Sequence, residues 1–213
     1  SFPTRRSSDL IDGEVVQACR QYLPEMHQGS FDDPRVEVVI DDAIKFLENT
    51  SSLWDIIISD LTDPIFEGPS YALFTEEYFK TISSVLNSKG FLVIQGGSVC
   101  PVSMKNYVRL ARTLSTVFDY TLPYASFVPS FAQYWGYILA SAKPCSTKPE
   151  PEQVDQLLAE KTTGGLRMVD GISLLGMLQL PVYIRRAIEK ETEIFTLANP
   201  PEFIGQRIMD KLH

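Results

Sequence analysis

The chain has 213 residues, of which 44% are hydrophobic and 22% are charged. This composition is ordinary for a globular chain with a core and excludes collagen, coiled coil and disorder, and no apolar run approaches the roughly 20 residues of a membrane helix. The formal charge is −8, from 19 basic and 27 acidic residues, so the chain repels phosphate backbones, and neither nucleic acid nor a membrane is an expected partner.

The first ten residues, SFPTRRSSDL, differ from the rest of the chain. They read as one translated frame of a widely used short-read sequencing adapter, and they contain no apolar segment of a secretory signal. We therefore expect residues 1–10 to be an artefact, with a basic, serine-rich transit-peptide end as the alternative. The protein's own sequence would then start at Ile11, inside an element.

Helices and strands are predicted to alternate from there. Apolar residues at helical spacing indicate a helix over Glu14–Leu23, which Pro24 ends. A β-branched run indicates a strand at Val36–Ile40, before a short helix over Ala43–Glu48. A second apolar strand, Trp54–Asp60, is expected to be buried and to end on an acid.

The alternation continues to residue 118. A helix is predicted over Thr75–Leu86, with Thr75 as its N-cap, and a turn over Asn87–Gly90. A buried strand over Gly90–Gln95 and a helix over Ser103–Phe118 follow. Such strands, separated by helices, predict an α/β fold with a mostly parallel sheet.

The last third begins with a predicted antiparallel strand pair over residues 120–141. The aromatic side chains of Tyr134, Trp135 and Tyr137 are expected to pack in this sheet. Residues 143–151 contain three prolines and indicate a linker, and the remainder is predicted to be helical, ending with a helix over Val182–Thr192.

Polar side chains follow three of the predicted strands. They are Asp41 and Asp42, then Asp60 with Asp63, then Gln95. In open α/β sheets, ligands bind beyond the carboxyl ends of the strands, so these side chains predict a binding site at one edge. Two carboxylates spaced as in Asp60 and Asp63 can bind a polycation or take a proton from an amine; a turn-capping role for both, and helix capping for Asp42, are the alternatives.

Cysteine and histidine residues offer little chemistry. The three cysteines are widely spaced, which favours a reducing compartment and a cytoplasmic location. With two histidines and no HExxH motif, no metal site is expected.

The stretch VEVVIDDAIKFLENTSSLWDIIISDLTDPIFEGPSYALFTEEYF (36–79) resembles the aminopropyltransferases, the spermidine and spermine synthase family. The resemblance covers about residues 11–205 and implies a Rossmann-like sheet of the methyltransferase type. Within the family, the similarity is greatest to thermospermine synthases, and it lies in the motifs DLTDP, EGPSYALFT, VPSFAQYWGY and EKETEIF.

The resemblance implies a role for each matching residue. Asp60 matches the catalytic aspartate, and Asp63 the aspartate that anchors a substrate ammonium. Asp42 matches the carboxylate that accepts from the adenine amino group, with Ala43 beside it. Gln95 matches a glutamine that lines the acceptor channel. Three further residues match the lining of the adenosine and acceptor regions: Pro69, Tyr71 and Phe131, where Phe131 replaces a tyrosine common in spermidine synthases.

The implied reaction transfers an aminopropyl group from decarboxylated S-adenosylmethionine, a co-substrate, to a polyamine; no cofactor is needed. Spermidine is the expected acceptor and thermospermine the product. Spermidine synthase, spermine synthase and a non-catalytic truncated homologue are the alternatives in this family. A methyltransferase on the same sheet is disfavoured because it need not bind a polycation at paired aspartates. The full-length parent is expected to form a homodimer or tetramer.

Some family features have no match. There is no GGGxG loop, Leu10 stands where the family has an acid for the ribose hydroxyls, and the family's first strand and N-terminal β-domain are not found. We expect a partial Rossmann-like domain over residues 11–142, followed by the linker and by a helical part of the same domain over residues 152–213. We expect this chain to be inactive by itself.

Overall fold

The computed structural model describes the backbone of residues 6–9 and the full residues 12–62 and 70–201. The chain divides into two compact units, Ser1–Ser52 and Leu53–His213. From Val36 to Leu114, strands and helices alternate along the chain, as the sequence predicts. Among the described helices, none is long and apolar enough to cross a bilayer.

The first unit contains a parallel pair of short strands. Strand β1 (Arg6–Asp9) pairs with β2 (Val36–Val39). This pairing uses backbone groups, which almost any sequence can supply, so the origin of residues 1–10 stays a prediction.

Three helices accompany these strands. Helix α1 (Gly13–Tyr22) begins after Asp12, whose side chain accepts from the backbone N–H of Glu14. Pro24 ends that helix as predicted but also starts a second one, α2 (Pro24–His27), because proline fits the first helical position. Helix α3 spans Ala43–Asn49.

The second unit is built on a four-stranded sheet in the order β3, β4, β6, β5. Strands β3 and β4 are parallel, whereas β4 with β6 and β6 with β5 are antiparallel, so the predicted terminal strand pair is confirmed. The strand bounds are β3 Trp54–Ser59, β4 Leu86–Ser98, β5 Tyr120–Val128 and β6 Gln133–Ser141. The helix bounds are α4 Glu76–Val85, α5 Lys105–Leu114, α6 Pro151–Lys161, α7 Gly171–Met177 and α8 Val182–Lys190.

Helix α5 packs against the sheet and forms much of the core of this unit. Its Tyr107 is fully buried, as are Leu110 and Leu114. The Tyr107 ring lies against two glycines of neighbouring strands, Gly96 of β4 and Gly136 of β6. A Cβ at Gly136 would lie only 2.4 Å from this ring, so glycine is needed there for the helix to approach the sheet.

The structure corrects three predictions. Asn87–Gly90 is part of β4, not a turn, because Leu86 pairs with Trp54 and the strand is extended by four residues before the predicted start. Thr75 stands at the N-cap of α4, but its hydroxyl donates to the carbonyl of Ala72 instead of capping the helix.

The third correction concerns the burial of β3. Ile56 is 51% exposed and Ile58 is 73% exposed. Strand β3 lies at the edge of the four-stranded sheet, and an edge strand has a neighbour on one side only. The strand was predicted correctly, but its burial was not.

Candidate functional site

Asp60 is the first residue after β3, at the carboxyl end of that strand, and it is exposed. The parallel neighbour β4 carries Gln95, one residue beyond the Ile94 that pairs with Ser59. Gln95 is buried. The predicted edge therefore holds at least these two polar residues, from adjacent strands.

The amide of Gln95 joins three segments of the unit. Its Nε2 donates to the backbone carbonyl of Leu61 at 2.7 Å. Its Oε1 accepts from the indole N–H of Trp135 at 2.8 Å and from the backbone N–H of Gly97 at 3.0 Å. Gly97 has a φ of 84° and lies where the pairing of β4 with β6 shifts register, so the chain bends there.

Two tyrosines lie on the same sheet face as Gln95. Residues directly opposite each other in antiparallel strands project to the same side, and Tyr137 lies opposite both Gln95 and Tyr124. The rings of Tyr124 and Tyr137 stack with their centroids 5.5 Å apart.

The electrostatics bring Asp60 into this group. Burial and the negative charge of Asp60 both raise the pKa of Tyr137. Burial and Tyr137 likewise raise the pKa of Tyr124. Both phenols therefore stay neutral hydrogen-bonding groups at physiological pH.

A second aromatic pair adjoins the first. Trp135 projects to the same face as Tyr137, two residues along β6, and its ring lies 4.8 Å from that of Phe131. Phe131 is 52% exposed. Trp135 and Tyr137 are only partly buried, and Tyr134 on the other face is 59% exposed. The three rings pack against neighbouring aromatic rings, as expected, but at the surface of the sheet and not in its core.

We call Phe131, Trp135, Tyr137 and Tyr124 the aromatic wall. The sequence analysis assigned Tyr137 to sheet packing and not to a site, and it did not single out Tyr124. The signal that could have found them is the strand alternation, since Trp135 and Tyr137 must share a face. What the sequence does not give is the register that sets Gln95 opposite Tyr137.

Tyr107 supports this wall from the opposite side of the sheet. Its hydroxyl lies 3.1 Å from the carbonyl oxygen of Tyr124 and 3.3 Å from that of Tyr137, and donates to both. Burial strongly raises the pKa of Tyr107, so it remains a donor.

The other predicted site residues are not part of the group around Gln95 described above. Asp42 belongs to the first unit, where its side chain caps α3 by accepting from the N–H of Ile44 at 2.9 Å, and Ala43 is the first residue of that helix. Tyr71 begins a single 3₁₀ turn and is half-buried. Asp63 and Pro69 lie outside the described residues.

A carboxylate beside aromatic rings is suited to an organic cation, because ring faces attract cations and the carboxylate supplies a counter-charge. Among residues 12–62 and 70–201, no three His, Cys, Asp or Glu side chains group as metal ligands.

Comparison with known proteins places the chain. A family described as "Spermine/spermidine synthase domain" matches residues 9–149. The chain belongs to this family. It is 53% identical over 194 residues to a polyamine aminopropyltransferase of Synechococcus sp. (strain JA-2-3B'a(2-13)), with 90% of this chain and 62% of the relative aligned. A polyamine aminopropyltransferase of Sulfolobus acidocaldarius is 37% identical over 190 residues, covering 89% of this chain and 63% of the relative.

Solved structures of the family agree with the fold. A spermidine synthase crystallised with the transition state analogue AdoDATO matches with a TM-score of 0.77 and 26% identity, over 88% of this chain and 62% of that one. The spermidine synthase of Thermotoga maritima matches with a TM-score of 0.74 and 25% identity, over 88% and 61%. The predicted α/β fold of the methyltransferase type is thereby confirmed. The chain spans about three fifths of the length of these relatives.

Proposed function

We propose that this chain carries the acceptor site of an aminopropyltransferase, which transfers an aminopropyl group from decarboxylated S-adenosylmethionine to a polyamine. The observation that supports this most is the exposed carboxylate of Asp60 at the end of β3, close enough to the aromatic wall to raise the pKa of Tyr137. A polyamine is a flexible organic cation, and such a site complements it.

The reaction needs a proton acceptor more than it needs a group that assists the departure of the leaving group. An amine nitrogen attacks the methylene carbon bonded to the sulfonium, a new C–N bond forms, and the C–S bond breaks with its electron pair on sulfur, releasing neutral methylthioadenosine. The amine has a pKa near that of lysine, about 10.4, so it arrives protonated. The ammonium must lose one proton before its nitrogen can attack, and the product nitrogen is then a secondary ammonium; we assign Asp60 as the acceptor of that proton.

The remaining site residues complete the proposal. Asp63 anchors the distant ammonium and selects the nitrogen that reacts. Asp42, with Ala43 beside it, accepts from the adenine amino group, while its Oδ1 caps α3. The other predicted residues line the donor and acceptor regions; they are Pro69, Tyr71, Gln95 and Phe131.

For the acceptor we propose spermidine, which gives thermospermine. The motifs DLTDP, EGPSYALFT and VPSFAQYWGY support this choice, because their similarity is greatest to thermospermine synthases. Putrescine or a different nitrogen of spermidine as the acceptor would make the protein a spermidine or spermine synthase. We further propose a cytoplasmic location and a homo-oligomeric enzyme.

The test replaces the proposed base. Asp60→Asn keeps the shape of the side chain and removes its basicity, so turnover should fall by about 10²–10⁴-fold, the usual contribution of a general base, while donor binding persists. Asp55→Asn is the matched control, since Asp55 is an exposed acid of the same strand that no proposed step uses. Turnover is followed by chromatography of methylthioadenosine and of the polyamine product, with putrescine and spermidine as separate acceptors.

The assay uses two proteins. One is the 213-residue chain, which we propose is inactive by itself. The other is a chimera in which this chain's matching residues replace those of the Synechococcus relative. An active chimera that makes thermospermine supports the full proposal, and one that makes spermidine or spermine corrects the acceptor. Full activity of the Asp60→Asn chimera would overturn the base assignment, and a folded but inactive chimera would favour the non-catalytic homologue.

A further inference from the structure

We propose that Gln95 is a positioning residue, whose amide fixes the peptide after Asp60 relative to the aromatic wall instead of binding the acceptor itself. This inference deepens the proposed function and rests on it wherever turnover is measured. It also makes a structural claim that can be tested without any activity.

The hydrogen bonds of Gln95 carry the argument. They connect Gln95 to Leu61, 34 positions earlier in the sequence, and to Trp135, 40 positions later, through one side chain. They also reach the local bend of β4 at Gly97. Gln95 is only 5% exposed, so water competes poorly for these bonds.

The amide has little capacity left for a substrate. A side-chain carbonyl oxygen has two lone pairs, and Oε1 of Gln95 already accepts from two N–H groups, those of Trp135 and Gly97. An ammonium that sought this oxygen would have to displace one of them. The described geometry therefore fits a group whose hydrogen bonds are made within the protein.

The hydrogen bond to Leu61 restrains the position of the proposed base, Asp60. Leu61 follows Asp60 directly, so a hydrogen bond that fixes the Leu61 carbonyl limits rotation of the chain that carries the Asp60 carboxylate. The other end fixes the indole of Trp135, against which Phe131 packs. One amide thus sets the distance between the proton acceptor and the surface that would hold the amine.

Gln95→Glu separates positioning from direct binding. The variant keeps acceptor oxygens for Trp135 and Gly97 but places an oxygen against the Leu61 carbonyl, where the two acceptors repel. We expect kcat of the active chimera to fall by about 10–100-fold, the effect of a misplacement near 1 Å, with the acceptor KM not lowered. A direct amine ligand would behave differently, since a new carboxylate attracts the ammonium and lowers KM.

Gln95→Leu provides a second variant, which removes the hydrogen bonds to Leu61, Trp135 and Gly97 without adding a charge. It should lower kcat while the protein stays folded below its melting temperature. Gln179→Leu is the matched control, because Gln179 also donates to a backbone carbonyl, that of Thr147, at 2.8 Å but at the surface. It should leave kcat and KM at wild-type values.

A readout independent of turnover uses the 213-residue chain. In a Trp54→Phe background, fluorescence reports Trp135 alone, since the chain has two tryptophans. Gln95→Leu should shift this emission and speed hydrogen exchange in peptides that contain residues 60–62 and 95–98. Gln179→Leu should do neither.

The outcomes distinguish the two proposals. Changed emission and exchange without any transferase activity in the chimera would support the positioning role and overturn the proposed function. Unchanged emission and exchange, or a lower acceptor KM in Gln95→Glu, would overturn the positioning role and leave the transferase proposal standing.

Discussion

At the scale of single residues, the close approach of Tyr107 to Gly136 gives a specific prediction. Gly136→Ala would place a methyl group 2.4 Å from the ring of Tyr107 and 2.8 Å from Val99. Both neighbours are buried, so the ring must shift or the strands must separate. We expect the free energy of unfolding to fall by about 1–3 kcal/mol, the usual cost of overpacking, measured by urea denaturation.

The control for this substitution lies in helix α7. Gly176 has no heavy atom within 4 Å of the position a Cβ would take, so Gly176→Ala adds a methyl group in open space. Because alanine favours a helix more than glycine does, it should stabilise by about 0.5–1 kcal/mol. Destabilisation by both variants to the same extent would contradict the packing argument.

The site could be predicted from the sequence where a residue's place depends on its own strand. Asp60 and Gln95 follow apolar runs, and each directly follows the last pair between β3 and β4, Ser59 with Ile94. The stack of Tyr124 on Tyr137 depends on the register between β5 and β6. No local pattern fixes that register, so the stacking of Tyr124 on Tyr137 was not predicted.

At the scale of elements, residues 191–199 attach to helices α4 and α5 through a few buried contacts. The N–H of Phe195 donates to Oγ1 of Thr113 at 2.9 Å, and its carbonyl accepts from the N–H of Glu76 at 2.9 Å. Arg109 of α5 forms an ion pair with Glu193 and lies over the Phe195 ring at 5.6 Å. These contacts therefore hold the segment against both helices.

Thr113→Val should weaken this attachment. Valine has the shape of threonine but cannot accept the hydrogen bond, so the buried N–H of Phe195 loses the Thr113 hydroxyl as its acceptor, in a region where Thr113 itself is fully buried. We expect the free energy of unfolding to fall by about 1–3 kcal/mol. Thr81→Val is the control, because its hydroxyl donates to a carbonyl one turn earlier at the surface of α4. Equal losses in the two variants would refute the attachment.

Element identity was predictable because each helix and strand has a periodic apolar face. The ends of the helices and strands were less predictable. The residues 87–90 carry turn-forming types, yet they extend β4, because Asn87 donates to Asp55 at 2.6 Å and the β3 backbone lies alongside. Pairing with β3 therefore determines the extended conformation of residues 87–90, and their own sequence does not predict that conformation.

At the scale of the whole molecule, tyrosines whose pKa is raised by burial determine how stability responds to alkaline pH. Burial raises the pKa of Tyr107, and the pKa values of Tyr124 and Tyr137 are raised as well. In the unfolded chain a tyrosine titrates near pH ~10. Above that pH the unfolded state has lost protons that the folded state keeps, so the stabilising contribution is complete below pH ~10 and is lost as the pH rises.

We therefore expect the free energy of unfolding to fall steeply above pH ~10, with buried Tyr107 contributing up to about 1.4 kcal/mol per pH unit. Tyr107→Phe removes this titration, so its curve should fall less steeply, although it should be about 1 kcal/mol less stable at neutral pH through loss of its hydroxyl hydrogen bond. Urea denaturation from pH 8 to 11.5, with reductant for the three cysteines, measures both effects. Tyr134→Phe, at an exposed tyrosine of the same unit, should follow the wild-type curve. If Tyr107→Phe also follows it, burial of Tyr107 does not control the alkaline transition.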